Sequence, residues 1–259
     1  MDTRQGFSPC LFSYILIGRD IFMELKTLID DADMVLVGIG EEFQTDFSQL
    51  EILQEEQNTI FEEYARMMYL DNHKADEVDN AYRVLKILLE NKDYFVVTLC
   101  NDDRIYDSGI GKERIVAPCG SYHRLQCENV CSEEIYPVQG YLEEIRKRNI
   151  PICPHCGKNL IINRVGISKY SEEGYLAQWN EYTKWLQRTL NKKLLILELG
   201  VGMKYPSVIR WPVEKIAFLN KKAKLVRINS LLYQLPEEIK EEGIAVCEES
   251  VRFLINQIV

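Results

Sequence analysis

Four cysteines in two close pairs place the strongest constraint on how this chain can fold: Cys127, Cys131, Cys153 and Cys156. The first pair reads C-x3-C, and the second, after 21 further residues, reads C-P-H-C-G. Two such pairs, brought together by a hairpin, supply four thiolates in the tetrahedral arrangement that zinc prefers. Pro154 and Gly157 favour the tight turn that points backbone N–H groups at the sulfur atoms. Because protein atoms fill all four ligand positions, the pattern predicts a structural zinc site.

Two other interpretations of these cysteines are a pair of disulfides and four unrelated buried thiols. Disulfides persist in oxidising compartments. The apolar stretch 10–17 is short, lacks a small-residue cleavage site and is followed by Arg19, Asp20 and Glu24. It therefore favours neither a signal peptide nor a membrane span. We expect a structural Zn²⁺ in a protein of a reducing compartment, the cytoplasm.

The composition argues against one class of partner. The chain has 259 residues, with 40 acidic residues against 31 basic ones, and its formal net charge is -9. A protein that binds the phosphate backbone of a nucleic acid needs a positive surface. We therefore expect no nucleic-acid partner, and the lack of a convincing span predicts no membrane partner. The length suffices for one large domain with a smaller insertion.

Short apolar runs alternate with segments of helical spacing along most of the chain. The runs are typical of strands buried on both faces, and they lie at 34–37, 94–98, 194–197, 224–228 and 244–246. The helical segments lie at 21–31, 48–70, 76–90, 175–190 and 248–258, and Pro206 opens a further one. This alternation predicts an α/β fold with a Rossmann-like, doubly wound parallel sheet.

The cysteine pairs interrupt this alternation, so we expect a discontinuous nucleotide-binding domain. Its two parts would be residues 1–125 and 158–259, with a helical insertion at about 44–75. Residues 126–157 would form the small zinc-binding module.

Polar and glycine residues collect where the predicted strands end. They are Gly38, Gly40, Cys100, Asn101, Asp102, Gly200, Gly202, Asn229 and Cys247. In parallel α/β sheets, ligands bind at the carboxyl ends of the strands near the switch in strand order. Glycine there lets backbone N–H groups approach a phosphate closely. One G-x-G is often only a turn, but five such strand ends together predict a nucleotide pocket.

A Rossmann-like domain interrupted by a four-cysteine module resembles the plan of the sirtuins, from about Leu25 onward. The most specific segment is 198–210, E-L-G-V-G-M-K-Y-P-S-V-I-R, which is similar to the macrodomain-linked microbial branch associated with protein ADP-ribosylation. Segment 81–98 resembles the helix and strand that lead into the sirtuin nicotinamide loop. The resemblance implies NAD as cofactor and an acceptor that attacks the carbon carrying nicotinamide. It also implies a protein partner, either an acyl-lysine substrate or an ADP-ribose acceptor.

The resemblance also assigns roles to single residues. Asp102, in T-L-C-N-D at 98–102, matches the aspartate beside the nicotinamide carboxamide, and Cys100 stands where the family has asparagine. Cys119 matches the general-base position, which is a histidine in deacylases and a glutamine in the macrodomain-linked branch. Arg164 matches a strand arginine that would face the ribose or the acceptor, as a fixed cation for a developing anion.

The remaining strand-end residues fall on the nucleotide side of the implied site. Gly38 and Gly40 match the first glycine loop, Gly200 and Gly202 the second phosphate-side loop, and Asn229 and Cys247 the adenosine side. Glu41 and Glu42 depart from the family pattern, which has a small residue and a hydroxyl at the pyrophosphate. Like charges about 4 Å apart repel by roughly 1 kcal/mol in water and about 4 kcal/mol near a protein surface. Unless the two carboxylates turn outward, we expect NAD to bind weakly or in another pose.

Two functions stay open from the sequence. The first is a sirtuin-like NAD-dependent protein deacylase or protein ADP-ribosyltransferase with a remodelled site, its candidate catalytic residues being Asp102, Arg164, Cys119 and Cys100. The second is a catalytically inactive sirtuin-fold protein that binds or senses, and that keeps the fold and the zinc with weak or no NAD turnover.

Overall fold

The structure is a computed structural model that describes residues 19–50 and 59–257, with side chains described for 25–50 and 60–257. Cys10 and part of the predicted helix 48–70 lie outside the described residues. Within them nine strands form: β1 (Met34–Ile39), β2 (Asp93–Thr98), β3 (Ile115–Val116), β4 (Gly120–Cys127), β5 (Tyr136–Pro137), β6 (Leu160–Arg164), β7 (Leu194–Leu199), β8 (Lys224–Ile228) and β9 (Ile244–Val246). The α-helices in the same residues are α1 (Arg19–Asp31), α2 (Thr59–Asn72), α3 (Asp76–Leu88), α4 (Leu142–Arg146), α5 (Leu176–Gln187), α6 (Arg210–Leu219) and α7 (Ser250–Ile255). None of these helices is both long and apolar enough to cross a membrane.

Six of the strands form one parallel sheet, in the order β3-β2-β1-β7-β8-β9. At its centre, Met34 of β1 is paired with Asp93 of β2 and with Leu194 of β7. Every residue of β1 and β7 is buried, because apolar runs supply side chains to helices on both faces. The predicted α/β fold with a doubly wound parallel sheet is confirmed. The sequence pattern missed β3, since two residues do not make a recognisable apolar run.

Helices cover both faces of this sheet. On one face lie α1, α3 and α7, which contribute Leu25, Leu85 and Phe253 to a shared core. On the other face lie α5 and α6, which contribute Trp185 and Val213. Successive strand residues point to opposite faces, so the central strands β1 and β7 contribute side chains to both cores.

Two predicted helices begin later than the sequence pattern indicated. The segment opened by Pro206 is a turn, and α6 begins at Arg210; the Trp211 N–H donates to the Pro206 carbonyl at 2.9 Å. Ser48 also lies in a turn, in which its N–H donates a hydrogen bond to the Asp46 carboxylate at 2.8 Å. Helix α2 is described from Thr59 onward. Short polar side chains that bond nearby backbone favour such turns over helix.

The second sheet is antiparallel, three-stranded and ordered β5-β4-β6. Helix α2 packs on it: the Tyr64 hydroxyl donates to the Leu160 carbonyl at 2.5 Å, and Met67 is fully buried in the shared core. Strand β4 begins at Gly120 and strand β6 ends at Arg164, so this sheet extends beyond the predicted module 126–157 on both sides. Only the short segment 117–119 separates β3 of the parallel sheet from β4 of the small sheet, so the small sheet begins beside the carboxyl end of β3.

Candidate functional site

The loops that follow β1 and β7 meet at the carboxyl edge of the parallel sheet. Strand order runs outward in both directions from these two neighbours, so the switch point lies between them. The Gly40 N–H donates to the Leu199 carbonyl at 2.8 Å. A Cβ added at Gly40 would lie 2.3 Å from the Val201 Cα, so the close approach requires glycine. Gly200, at φ +62°, also belongs to this contact, whereas Gly38 lies within β1.

Glu41 and Glu42 turn inward, toward the backbone at this edge. One carboxylate oxygen of Glu41 accepts a hydrogen bond from the Gly202 N–H at 2.6 Å. One oxygen of Glu42 accepts from the N–H and the hydroxyl of Ser230, at 2.8 and 2.7 Å. Its other oxygen accepts from the N–H and the hydroxyl of Ser250, at 2.8 and 2.6 Å. The outward orientation that would spare a ligand phosphate is not the one in the structure.

Asp102 lies in the turn after β2 and is 3% exposed. Its Oδ2 accepts from the N–H and the hydroxyl of Thr45, at 3.0 and 2.7 Å, and its Oδ1 accepts from the Arg104 N–H at 3.4 Å. Burial raises the pKa of this carboxyl, and the bonds from Thr45 and Arg104 oppose the rise. Thr45 therefore orients the carboxylate. No sequence pattern indicated this partnership, because Thr45 and Asp102 are 57 positions apart.

Cys100 and Cys119 are both buried thiols. The Cys100 sulfur lies 3.3 Å from the Gly40 carbonyl, to which it donates, and burial raises its pKa well above the ordinary value. Burial, with the charge of Glu41, raises the pKa of Cys119 to about 12. Both groups are thus protonated thiols at neutral pH. A thiol in this state is a poor base at neutral pH.

Arg164 ends β6 and is held by helix α2. Its Nε and Nη2 both donate to the Glu63 carboxylate, Nη2 at 2.6 Å, and its Nη1 donates to the Val165 carbonyl at 2.9 Å. The guanidinium carbon also lies over the Tyr122 ring, 5.8 Å from its centroid. Glu63 neutralises the cation that the resemblance assigns to the ribose or the acceptor. In the structure Arg164 ties the small sheet to α2, a partnership that sequence spacing does not reveal.

Asn229 and Cys247 follow β8 and β9, as expected from the sequence. The Asn229 side chain accepts from the N–H groups of Leu231 and Leu232, at 2.9 and 2.7 Å, and donates to the Val201 carbonyl at 3.3 Å. These bonds fix the turn after β8 against the second glycine loop. Cys247 is half-buried beside the same turn.

A buried ion-pair cluster lies beneath the second glycine loop. The guanidinium of Arg227 bonds both oxygens of Glu198, at 2.7 and 2.9 Å, and one oxygen of Glu214 at 2.7 Å. Arg210 lies 3.6 Å from Glu198 and donates to the Val201 carbonyl at 2.9 Å. The sequence pattern did not indicate this cluster, because its charges come from β7, α6 and β8. Its contact with Val201 positions the loop that carries Gly200 and Gly202.

A polar cavity of about 660 Å³ lies beside Asp102. Its wall includes His123, which sits 3.1 Å from the Asp71 carboxylate and 3.5 Å from that of Asp103. The carboxylates of Asp103 and Asp71 raise the pKa of His123 to about 9, so the imidazole is protonated at neutral pH. The sequence did not single out this histidine.

The four paired cysteines come together at the end of the small sheet. Their sulfur atoms all lie within 4.8 Å of one another. The Cys127 and Cys156 sulfurs are 3.4 Å apart and those of Cys131 and Cys153 are 3.6 Å apart, well beyond the roughly 2.05 Å of a disulfide. Gly157, at φ +71°, closes the knuckle by donating to the Cys153 carbonyl at 2.9 Å. Four convergent thiol groups of this kind could hold a metal ion.

Solved structures define the class of this fold. A structure determined to study sirtuin substrate affinity has a TM-score of 0.63 at 16% identity, over 93% of this chain and 98% of its own. A Sir2 variant with a p53 peptide and NAD has a TM-score of 0.61 at 17% identity, over 90% of this chain and 95% of its own. The chain has the sirtuin fold, and the predicted resemblance is confirmed.

Sequence comparison adds two curated relatives, although no family model matches the chain. A protein ADP-ribosyltransferase of Staphylococcus aureus (strain Mu50 / ATCC 700699) is 26% identical over 265 aligned positions, which cover 87% of this chain and 83% of the relative. A probable bifunctional ADP-ribose hydrolase/ADP-ribosyltransferase of Fusarium oxysporum f. sp. cubense is 32% identical over 185 positions, which cover 64% of this chain. The match spans only 31% of that second relative.

Proposed function

We propose that this chain is an NAD-dependent protein-modifying enzyme of the sirtuin type, a protein ADP-ribosyltransferase or a protein deacylase. Asp102 carries the proposal: it is a buried carboxylate, oriented by Thr45, at the carboxyl end of a strand in a sirtuin-fold sheet. That edge is where parallel α/β sheets bind their ligands. When bound, NAD supplies the ADP-ribosyl group and releases nicotinamide. Asp102 would accept a hydrogen bond from the nicotinamide carboxamide and so hold its orientation.

The Asp102 part and the glycine-loop part of the proposed site differ in how they suit a dinucleotide. The Asp102 end offers a fixed acceptor beside a polar cavity. The glycine-loop end offers backbone and hydroxyl donors, but Glu41 and Glu42 already hold them. In the described conformation this end does not fit a diphosphate.

The state of Cys119 favours ADP-ribosyl transfer over deacylation. The resemblance gives the deacylases a histidine base at this position, and a buried thiol with a pKa of about 12 does not replace it. Both curated relatives carry ADP-ribosyltransferase in their names. The partner would be an acceptor protein; sirtuin-fold structures with a bound propionylated or acetylated peptide support a protein substrate in general.

A second candidate is a catalytically inactive sirtuin-fold protein that binds or senses. The inward Glu41 and Glu42 favour it, because they oppose the cofactor that turnover requires. The two candidates differ in one observable: only the enzyme releases nicotinamide.

We further propose Zn²⁺ as a structural metal held by the four-cysteine cluster, since four thiolates in close contact are its preferred ligand set. Such a site needs reduced cysteines, which supports a cytoplasmic location. The division into an NAD-binding part, 1–125 and 158–259, and a zinc module, 126–157, stays a proposal.

The test is release of nicotinamide from NAD, measured by mass spectrometry for the wild-type protein and for Asp102→Asn. The acceptors offered are an acetyl-lysine peptide and the soluble proteins of a bacterial lysate. Loss of a hydrogen bond to a charged group is worth about 1.5–3 kcal/mol, so we expect release to fall on the order of 10-fold to 100-fold. Asp30→Asn, at a surface side chain 60% exposed, is the matched control and should leave release unchanged.

Two outcomes would count against the proposal, the first against the role of Asp102 and the second against catalysis. Equal release by wild type and Asp102→Asn would move the chemistry away from this carboxylate. If the wild type binds NAD but releases no nicotinamide with either acceptor, the result would favour the catalytically inactive binding protein.

A further inference from the structure

Glu42 fills a set of donors drawn from two separate strand ends. Ser230 follows β8 and Ser250 follows β9, yet one carboxylate bonds the N–H and the hydroxyl of both, with all four distances between 2.6 and 2.8 Å. The fifth donor at this edge, the Gly202 N–H, bonds Glu41. Five donors at the carboxyl edge thus converge on two adjacent carboxylates of the same chain.

These donors have the chemistry of a phosphate site. Backbone N–H groups and hydroxyls after the strands of a parallel sheet, at its switch point, are what such folds present to the anionic part of a nucleotide. The backbone at Gly200 lies close to the Glu42 side chain: a Cβ added at Gly200 would lie 2.5 Å from the Glu42 Cβ. Glu42 therefore lies in van der Waals contact with the second glycine loop and leaves no room between them for a phosphate group.

A diphosphate and these carboxylates exclude each other. Each Glu42 oxygen already accepts two hydrogen bonds, so an arriving phosphate finds no open donor on Ser230 or Ser250. It would also meet two negative charges at close range, which repel it. One oxygen of Glu41 is buried and has no hydrogen-bond partner among the described residues, so its charge is not offset by a second donor.

We propose that Glu42, supported by Glu41, is an internal occupant of the diphosphate site, and that it sets the affinity of this edge of the sheet for dinucleotides. The inference rests on the proposed function in one respect, that the dinucleotide is NAD. Phe43 is fully buried against Tyr82, with ring centroids 5.3 Å apart. Because Phe43 anchors the segment, NAD enters when the Glu41 and Glu42 side chains swing out and release the five donors. A ligand without phosphates does not compete with them.

The experiment is calorimetric titration of the full chain with four ligands: NAD, ADP-ribose, adenosine and inorganic pyrophosphate. The variants are Glu42→Ala, which frees the four serine donors, and Glu42→Gln, which keeps the side-chain packing against Gly200 and removes the charge. Glu143→Ala is the control, since it removes one negative charge from a side chain 90% exposed. Thermal unfolding of each protein establishes that it is folded.

We expect Glu42→Ala to bind NAD and ADP-ribose about tenfold or more tightly than wild type, as removal of a competing closed state predicts. Glu42→Gln should move in the same direction. Adenosine affinity should stay within about threefold, because the phosphate donors take no part in it. Glu143→Ala should match wild type with every ligand.

The outcomes separate this inference from the proposed function. Equal NAD affinity in wild type and both Glu42 variants overturns the inference and leaves the enzyme proposal standing. If NAD and ADP-ribose bind none of the proteins, the NAD proposal fails, and pyrophosphate decides the inference. Pyrophosphate that binds Glu42→Ala but not wild type supports it. Pyrophosphate that binds neither wild type nor Glu42→Ala, or both equally, refutes it. An equal gain for adenosine would also refute it, because the effect would then not concern phosphate.

Discussion

Replacing Glu198 by glutamine removes a carboxylate from the buried ion-pair cluster beneath the second glycine loop. Glu198 is 0% exposed and its partner Arg227 is 1% exposed. The two charged hydrogen bonds from the guanidinium, at 2.7 and 2.9 Å, are replaced by at most one to a neutral amide oxygen, while those to Glu214 and to the Gln234 carbonyl, both at 2.7 Å, are kept. The change leaves two arginines, Arg227 and Arg210, with one carboxylate between them.

The expected loss follows from that count of partners. Removing one member of a buried ion pair costs about 3–5 kcal/mol, because the remaining charge is uncompensated. Arg227 retains Glu214, so we expect the lower end, about 3 kcal/mol. For a chain of this size each kcal/mol moves Tm by about 2–4 °C. Glu198→Gln should therefore lower Tm by roughly 6–12 °C in differential scanning calorimetry.

Two further variants test whether the loss of stability comes from the buried ion pair. Glu181→Gln makes the same chemical change in an ion pair whose glutamate side chain is 61% exposed, and should lower stability by less than about 0.5 kcal/mol. Glu198→Leu combined with Arg227→Met removes both buried charges and should recover most of the loss, since apolar replacement of a buried pair is often neutral. A Tm for Glu198→Gln no lower than that of Glu181→Gln would refute the reasoning, because Arg227 would then need no buried carboxylate beyond Glu214.

The remaining predictions concern the metal cluster and one histidine. The purified protein should carry about one zinc per chain by atomic emission, and Cys153→Ser should lose both the zinc and thermal stability, since structural zinc contributes folding free energy. Cys247→Ser, outside the cluster, should keep both; a Cys153→Ser protein of full stability would contradict the structural role. The carboxylates of Asp103 and Asp71 raise the pKa of His123 to about 9 from its ordinary value of 6.5, so its contribution to stability is complete below about pH 6.5 and is lost as pH rises through about 9. His123→Gln should flatten the fall of Tm over that window, and an NMR titration midpoint for His123 near its ordinary pKa would refute this assignment.

Features carried by local pattern could be predicted from the sequence. The runs 34–37 and 194–197 are apolar at every position, a pattern typical of a strand covered on both faces, and they form the two central strands. Because the carboxyl ends of parallel strands lie at one edge, the residues that follow them could be placed together from the sequence. The cysteine pairs could be matched because ligand spacing and knuckle turn are both short-range features.

The partners of the charged side chains could not be predicted. The family resemblance implied that Arg164 faces the ribose or the acceptor, whereas in the structure Arg164 is bound by Glu63, 101 positions away. The sequence also left open whether the carboxylates of Glu41 and Glu42 face the protein or the solvent. Nothing local distinguishes a carboxylate that faces water from one that faces Ser230, 188 positions away.

The sequence alone determined the fold class, the edge of the sheet at which a ligand would bind, and the four cysteines that could hold a metal. These features depend on periodicity and spacing, which are set by residues close to one another in the sequence. Only the tertiary structure decided that Glu42 lies against Ser230 and Ser250, that Thr45 holds Asp102, and that Cys119 is a buried thiol. Hydrogen bonding and burial depend on distances between residues remote in sequence, and those distances exist only once the sheet and its helices have assembled.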